Sequence, residues 1–202
     1  MKVALALAAL LLVTACGSDG DPVAVDPGSS AGPTAIPAAP GNVRTRAVVT
    51  VMDTGSPELC LGAVAESWPP QCSGPSIDGW DWTQYEGMYQ KSGTTRWGQF
   101  VVSGTWDGST FTYADAIAGA LYDPMAEPSP TYPPATVEHT HAELQDIADE
   151  VGRELPGALG AQVDGKHVLA DVVYDDGSLQ DHVDERYGEG VVVVTSALVD
   201  SA

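Results

Sequence analysis

The sequence predicts an α+β fold of two small modules, and three patterns support this prediction. In residues 43–52, Val43, Thr45, Ala47, Val49 and Val51 recur at a period of two on one face, as in a half-buried strand. Asp107-Gly108 separates two apolar stretches, and this dipeptide is typical of a two-residue β-hairpin turn. Beyond residue 138, helical and strand periodicities alternate, and capping residues precede the helical ones.

Residues 1–15 are interpreted as a signal peptide. Lys2 precedes an apolar run from Val3 to Val13, and this run is shorter than the roughly 20 residues of a membrane-spanning helix. Val13-Thr14-Ala15-Cys16 ends the run. This ending resembles the lipobox of bacterial lipoproteins, which implies cleavage before Cys16 and lipid on its thiol. An ordinary secretory signal with a chance cysteine is the alternative.

Residues 16–42 are predicted to be a disordered tether. Positions 17–42 consist mainly of Gly, Pro, Ala, Ser and Asp, with no aromatic residue, Lys or Arg, so they bury too little apolar surface to offset the entropy of ordering. The expected location is extracytoplasmic, on the outer face of the cell membrane, where the acyl chains on Cys16 alone would hold the protein.

Charge and cysteine content restrict the classes of partner. The 202-residue chain has 28 acidic and 8 basic side chains and a formal charge of -20. This balance argues against nucleic acid, because phosphate binding needs Lys and Arg. Once Cys16 carries lipid, Cys60 and Cys72 remain as a pair, and an oxidising compartment favours a disulfide between them. Two free thiols or half of a metal site are the alternatives.

The first module, residues 43–120, is predicted to be mostly β and to resemble a small OB-like barrel. Thr83-Gln84-Tyr85-Glu86 has the spacing of a capping box, so a short helix is expected before Gly93. Strand-like apolar stretches lie on both sides of it, at 43–52, 59–64, 77–82, 97–104 and 109–113.

Residues 121–137 are expected to be a linker, because prolines supply no backbone donor and favour extended chain. The prolines are Pro124, Pro128, Pro130, Pro133 and Pro134. The second module, 138–202, has the order α-β-β-α-β of a ferredoxin-like unit without an evident first strand, for which Ala135–Glu138 is a candidate. Its predicted elements are a helix after Thr140, a hairpin at Asp164-Gly165, a strand to Tyr174, a helix capped by Ser178 and a final strand at Val191–Val194.

Two short parts of the chain carry a resemblance. Pro57-Glu58-Leu59-Cys60-Leu61-Gly62 with Pro69-Pro70-Gln71-Cys72-Ser73-Gly74-Pro75, and the later stretch Glu185–Val193, are similar to motifs of uncharacterised secreted lipoproteins from high-GC Gram-positive (actinobacterial) bacteria. The resemblance implies a secreted protein of that kind, and it brings no function with it.

One string resembles a catalytic motif. Val51-Met52-Asp53-Thr54-Gly55-Ser56 is similar to the active-site loop of aspartic peptidases. That chemistry needs two carboxylates that share one proton, and the chain has no second Asp-Thr-Gly or Asp-Ser-Gly. A β-turn after a strand also explains the string. We therefore expect no enzyme and no cofactor, and a peptidase at Asp53 is the remaining catalytic alternative.

Metal binding is also not expected. His139-x-His141 flanks a helix start, where the two rings point in different directions, so surface histidines are favoured over a zinc or copper site. The acidic residues around Gly177 lack the alternating positions of a calcium loop, since Val172 and Tyr174 stand in them. A divalent-metal site remains an alternative to a solvated acidic face.

The aromatic residues suggest a binding role. All five Trp fall in the first module, where filling a small core is favoured over display on the surface. Trp68 is the exception, because Pro69 and Pro70 follow it within the predicted disulfide loop, so Trp68, Pro69 and Pro70 are the candidate binding residues. The predicted function is a non-catalytic, lipid-anchored binding or interaction module of the cell envelope. Its partner would be an envelope protein or a glycan such as peptidoglycan.

Overall fold

Two sheets of unequal size and two helices make up the part of the protein that the structure describes, a computed structural model covering residues 32–123 and 130–201. The predicted α+β class is confirmed. The predicted signal peptide, Cys16, most of the predicted tether and six residues of the predicted linker lie outside the described residues. No described helix is both long and apolar enough to cross a membrane.

The strands and helices form two groups along the chain, a first group of strands and a second group of strands and helices. The first group is β1 (Asn42–Thr45), β2 (Val49–Asp53), β3 (Pro57–Cys60), β4 (Ile77–Asp78), β5 (Gln90–Ser92), β6 (Thr95–Trp106) and β7 (Phe111–Ala118). The second is α1 (His141–Glu154), β8 (Ala158–Asp164), β9 (His167–Val172), α2 (Ser178–Tyr187), β10 (Val192–Ser196) and β11 (Leu198–Asp200).

The large sheet has eight strands and curls into a half-barrel around β6. β6 pairs with β1 and β2 along one side and with β5 and β7 along the other. The single strand predicted over 43–52 is instead two strands, because residues 45–48 bulge between the pairs Arg44–Ser103 and Val49–Phe100. A bulge bends a strand, and here it gives β1 and β2 different outer neighbours, β11 and β3.

The concave side of this sheet encloses an aromatic core. Phe100 and Phe111 are fully buried, together with Trp80, Trp82 and Trp106, so the predicted core role is confirmed for these three tryptophans. The hydroxyls of Tyr85 and Tyr113 lie 2.6 Å apart beside them. Burial and then this hydrogen bond raise the pKa of Tyr85 above its ordinary value.

The segment 77–86 differs from its prediction. The strand expected over 77–82 is only the two-residue β4, and residues 82–85 form one 3₁₀ turn in place of an α-helix. Asp81 caps this turn by accepting a hydrogen bond from the Thr83 amide at 2.9 Å. The capping-box prediction for Thr83 is therefore wrong: the turn begins at Trp82, so Thr83 lies inside it, and the Thr83 hydroxyl donates to the Asp81 carboxylate at 2.8 Å.

The small sheet has the order β10-β9-β8, with β8 antiparallel and β10 parallel to β9. A two-residue turn at Gly165-Lys166, one position after the predicted Asp164-Gly165, joins β8 to β9. The predicted capping box of Thr140 and Glu143 begins α1. Ser178 does not cap α2. The carboxylate of Asp175 does so, because it accepts hydrogen bonds from the amides of Leu179 and Gln180 at 2.9 and 3.3 Å.

Two features cross the predicted module boundaries. The valine strand β10 is not the last one: the chain continues into β11, which pairs with β1 and places Leu198 in the core of the large sheet. At the other end, Ile36 packs against that core and the Trp106 indole donates to the Pro37 carbonyl at 2.9 Å. Residues 36 and 37 therefore already contact the large sheet and its core, although the predicted tether extends to residue 42.

Candidate functional site

A cleft of about 620 Å³ lies on the convex side of the large sheet, opposite the aromatic core. Its volume is in the range of small-ligand sites in proteins. Five separate segments of the chain contribute to it. The lining residues are Thr50, Val64, Pro70, Gly87, Met88, Tyr89, Gln90, Trp97, Gly98, Gln99, Ala118, Gly119, Ala120 and Leu121.

The floor of the cleft is formed by two neighbouring strands. Successive side chains of a strand point to opposite faces, so the burial of Phe100 in the core directs Gln99 to the convex side. Thr50 of β2 is the register partner of Gln99. Trp97, two residues earlier on β6, faces the same side and packs with Cys60 and Met52 in a cluster separate from the main core.

The first wall is the loop closed by the disulfide between Cys60 and Cys72, whose Cα atoms are 5.8 Å apart. Val64 and Pro70 of this loop line the cleft. A backbone hydrogen bond of 2.8 Å from the Ala65 amide to the Gln71 carbonyl ties its two arms together. The loop is therefore held at its base and across its middle before any ligand arrives.

Trp68, at the tip of this loop, has 72% of its surface exposed. Its ring centroid lies 5.0 Å from that of Trp97, and the two planes are nearly perpendicular at 87°. This edge-to-face contact is a favourable arrangement of aromatic rings. It holds the indole beside the cleft and leaves most of its surface accessible.

The second wall consists of residues 87–90 and 118–121. A Cβ at Gly98 would lie 2.6 Å from Cε2 of the Phe100 ring and 3.1 Å from the Met88 carbonyl oxygen, which explains the glycine at that position. Met88 and Leu121 expose 45% and 69% of their surfaces. In the described part of the chain, four of the seven strongly exposed large hydrophobic residues are at this cleft: Val64, Trp68, Met88 and Leu121. Exposed apolar groups that cluster in this way mark interaction sites.

The described lining of the cleft is also free of charge. None of the described residues that line it is Asp, Glu, Lys, Arg or His, although the chain carries a formal charge of -20. Its polar groups are two amides, Gln90 and Gln99, and two hydroxyls, Thr50 and Tyr89. The arrangement suits a ligand that offers apolar surface and uncharged hydrogen-bonding groups.

Some of the binding residues predicted from the sequence lie at this cleft. Pro70 lines it, Trp68 borders it, and Pro69 is half-buried between them. Sequence patterns did not indicate Met88, Gln99 or Leu121. These three residues come together through the register of β6 with β2 and the path of the chain after β7. Neither feature can be predicted from residues close in sequence.

Asp53 and the histidines occupy other places. The two oxygens of Asp53 accept hydrogen bonds from the Gly55 amide at 2.9 Å and the Trp82 indole at 2.8 Å, as the turn interpretation of this string expects. His167 Nδ1 lies 2.7 Å from the Gly190 carbonyl, whereas His139 and His141 lie at the start of α1. Within the described ranges, no three His, Cys, Asp or Glu side chains come together as a metal site would require.

Comparison of the chain with protein-family models, curated proteins and solved structures finds no match.

Proposed function

We propose that this chain is a non-catalytic, lipid-anchored protein of the cell envelope and that its convex cleft binds an uncharged ligand. The observation that carries the proposal is the chemistry of the cleft: an uncharged lining with clustered exposed apolar side chains, in a strongly acidic chain. Surface apolar groups of a soluble domain are normally scattered. Acidic side chains keep the rest of the surface hydrated and repel anionic polymers.

The anchor part of the proposal rests on the lipobox sequence at Cys16. Two acyl chains give stable attachment without basic residues, since each buried methylene contributes about 0.8 kcal/mol. A tether between Cys16 and the body would let the cleft reach material outside the membrane. The corresponding location is the outer face of the cell membrane.

The fold assignment beyond the α+β class belongs to the same proposal. We regard the large sheet as an OB-like half-barrel and the segment from α1 to β10 as a ferredoxin-like unit that lacks one strand. The long β6, shared by four partners, supports the first comparison, and the β8–β9 hairpin followed by the α2 crossover supports the second.

Replacement of Cys16 by alanine is expected to remove the protein from the membrane fraction, because no thiol remains to carry the lipid. Labelling of cells with a fatty-acid probe, followed by membrane fractionation, tests this. Ser18→Ala, in the same tether, is the control and should keep both label and location. Wild-type protein without lipid would contradict the anchor while leaving the cleft proposal untouched.

Gln99→Glu is expected to weaken ligand binding by about tenfold or more, because it places an unpaired charge on the floor of an uncharged site. Gln162→Glu is the matched control: Gln162 is also an exposed strand glutamine, on β8, and the variant has the same net charge. The assay is equilibrium binding of the chain from residue 16 onward with Cys16→Ala, which carries no thiol for the lipid, to envelope extracts separated by anion exchange. Retention of charged fractions alone, or equal effects of the two variants, would contradict an uncharged ligand in this cleft.

A further inference from the structure

The cleft has two kinds of recognition surface, and together they fit one class of uncharged polymer. We propose that it binds a short stretch of a neutral glycan, with one sugar ring against the indole of Trp68 and sugar hydroxyls against the amides of Gln99 on the floor and Gln90 in the second wall. This inference rests on the proposed function, because it names the chemistry of the ligand at the same site.

Trp68 supplies the stacking surface. A pyranose ring has apolar C–H faces and polar edges, so it needs a flat apolar partner that leaves its rim open to hydrogen bonding, which an aromatic face provides. Trp68 is exposed over 72% of its surface, so a sugar ring can reach it without displacing other side chains. Contact with Trp97 and closure of the loop by the disulfide already restrict the indole. Little ordering entropy is then lost on binding.

The amides supply the polar contacts. Gln90 and Gln99 are exposed, and their side chains make no hydrogen bond to another described residue. Each amide carries two donor hydrogens and an acceptor oxygen, and a sugar hydroxyl both donates and accepts. A glycan can therefore pair both ends of each amide, whereas a proline-rich peptide has carbonyl acceptors but few N–H donors for the amide oxygens.

The negative net charge of the chain favours neutral glycans over acidic ones. With a formal charge of -20, the protein repels uronic-acid and phosphate polymers at low salt, and the lining residues that the structure describes include no Lys or Arg to bind them. A neutral glycan is not subject to this repulsion. The affinity of the protein for a neutral glycan should therefore depend little on ionic strength.

The test uses the chain from residue 16 onward with Cys16→Ala, which carries no thiol for the lipid, titrated with cellotetraose, mannotetraose and chitotetraose, with tetragalacturonate as the anionic counterpart. Binding is measured by calorimetry and by tryptophan fluorescence. The fluorescence signal reports on the cleft, because Trp80, Trp82, Trp97 and Trp106 are buried and Trp68 is exposed. The expected result is saturable binding of at least one neutral tetrasaccharide and none of tetragalacturonate.

Trp68→Ala is expected to lower that affinity by about tenfold or more, as for other exposed aromatic anchors, and Trp68→Phe should retain part of it. Val137→Ala is the control, since Val137 is an exposed apolar residue away from the cleft. The affinity of the Val137→Ala variant for the tetrasaccharide should equal that of the wild type. Circular dichroism of each variant shows that the fold is intact.

Different outcomes separate this inference from the proposed function. If no neutral tetrasaccharide binds but a capped, uncharged proline-rich peptide does, and Gln99→Glu weakens it, the glycan inference is wrong and the uncharged-ligand proposal stands. Equal affinity for tetragalacturonate would overturn the inference as well. If neither probe binds and Gln99→Glu leaves the retention of envelope fractions unchanged, both proposals fail.

Discussion

Replacement of Phe100 by alanine should lower the free energy of unfolding by about 3–5 kcal/mol, the range for a large aromatic side chain removed from a packed core. Phe100 has no exposed surface. Its ring centroid lies 4.9 Å from that of Tyr85 and 5.0 Å from that of Trp80. These bulky rings cannot fill the space it would leave, so the cavity persists. Phe100 also belongs to β6, the strand that four others pair with.

Urea denaturation followed by far-UV circular dichroism measures this loss. Ile117→Ala is the control, because Ile117 lies on the adjacent strand β7 with 45% of its surface exposed, and such surface changes usually stay within about 0.5 kcal/mol. A loss below about 1 kcal/mol for Phe100→Ala would show that the aromatic core rearranges to close the cavity, against the packing described above.

The double variant Cys60→Ala with Cys72→Ala should lose about 3 kcal/mol, the value that loop-closure entropy gives for a crosslink across so short a loop. The two cysteines are separated by 12 positions. Because the loop is also the first wall of the cleft, its release should weaken ligand binding through Val64, Pro70 and Trp68.

Reduced wild-type protein separates the crosslink from the packing of the sulfur atoms. Cys60 is buried against Met52 and Trp97, and reduction breaks the bond while leaving both sulfurs in place. Denaturation of oxidised protein, reduced protein and the double variant should show most of the loss on reduction. Equal stability of the oxidised and reduced proteins would contradict a stabilising role for the disulfide.

Local patterns were sufficient for several elements. Thr140 and Glu143 predicted the start of α1 because the capping box is formed by groups three residues apart. Asp107-Gly108 and Asp164-Gly165 predicted the places of the turns between β6 and β7 and between β8 and β9, since a turn is determined by the few residues within it. The first turn has the four residues 107–110 and not the two that were predicted, and the second is Gly165-Lys166. The pairing of Cys60 with Cys72 followed from counting cysteines.

Sequence patterns gave wrong predictions where a residue outside the pattern determined the local structure. Asp81 and Asp175 cap the turn at 82–85 and α2 in place of the expected Thr83 and Ser178, although both kinds of residue are good caps in isolation. The bulge at residues 45–48 interrupts the period-two pattern, and β11 and β3 pair with the two halves of that segment.

The sequence by itself determined the α+β class, the acidic and cysteine-poor character of the chain, and the candidate loop around Trp68. These follow from composition and from interactions between residues close in the chain. Only the tertiary structure placed β11 beside β1 and brought Thr50, Met88, Gln99 and Leu121 to one uncharged cleft. The physical reason is that strand register and curvature join residues far apart in sequence, and no short-range hydrogen bond or periodicity encodes which of them meet.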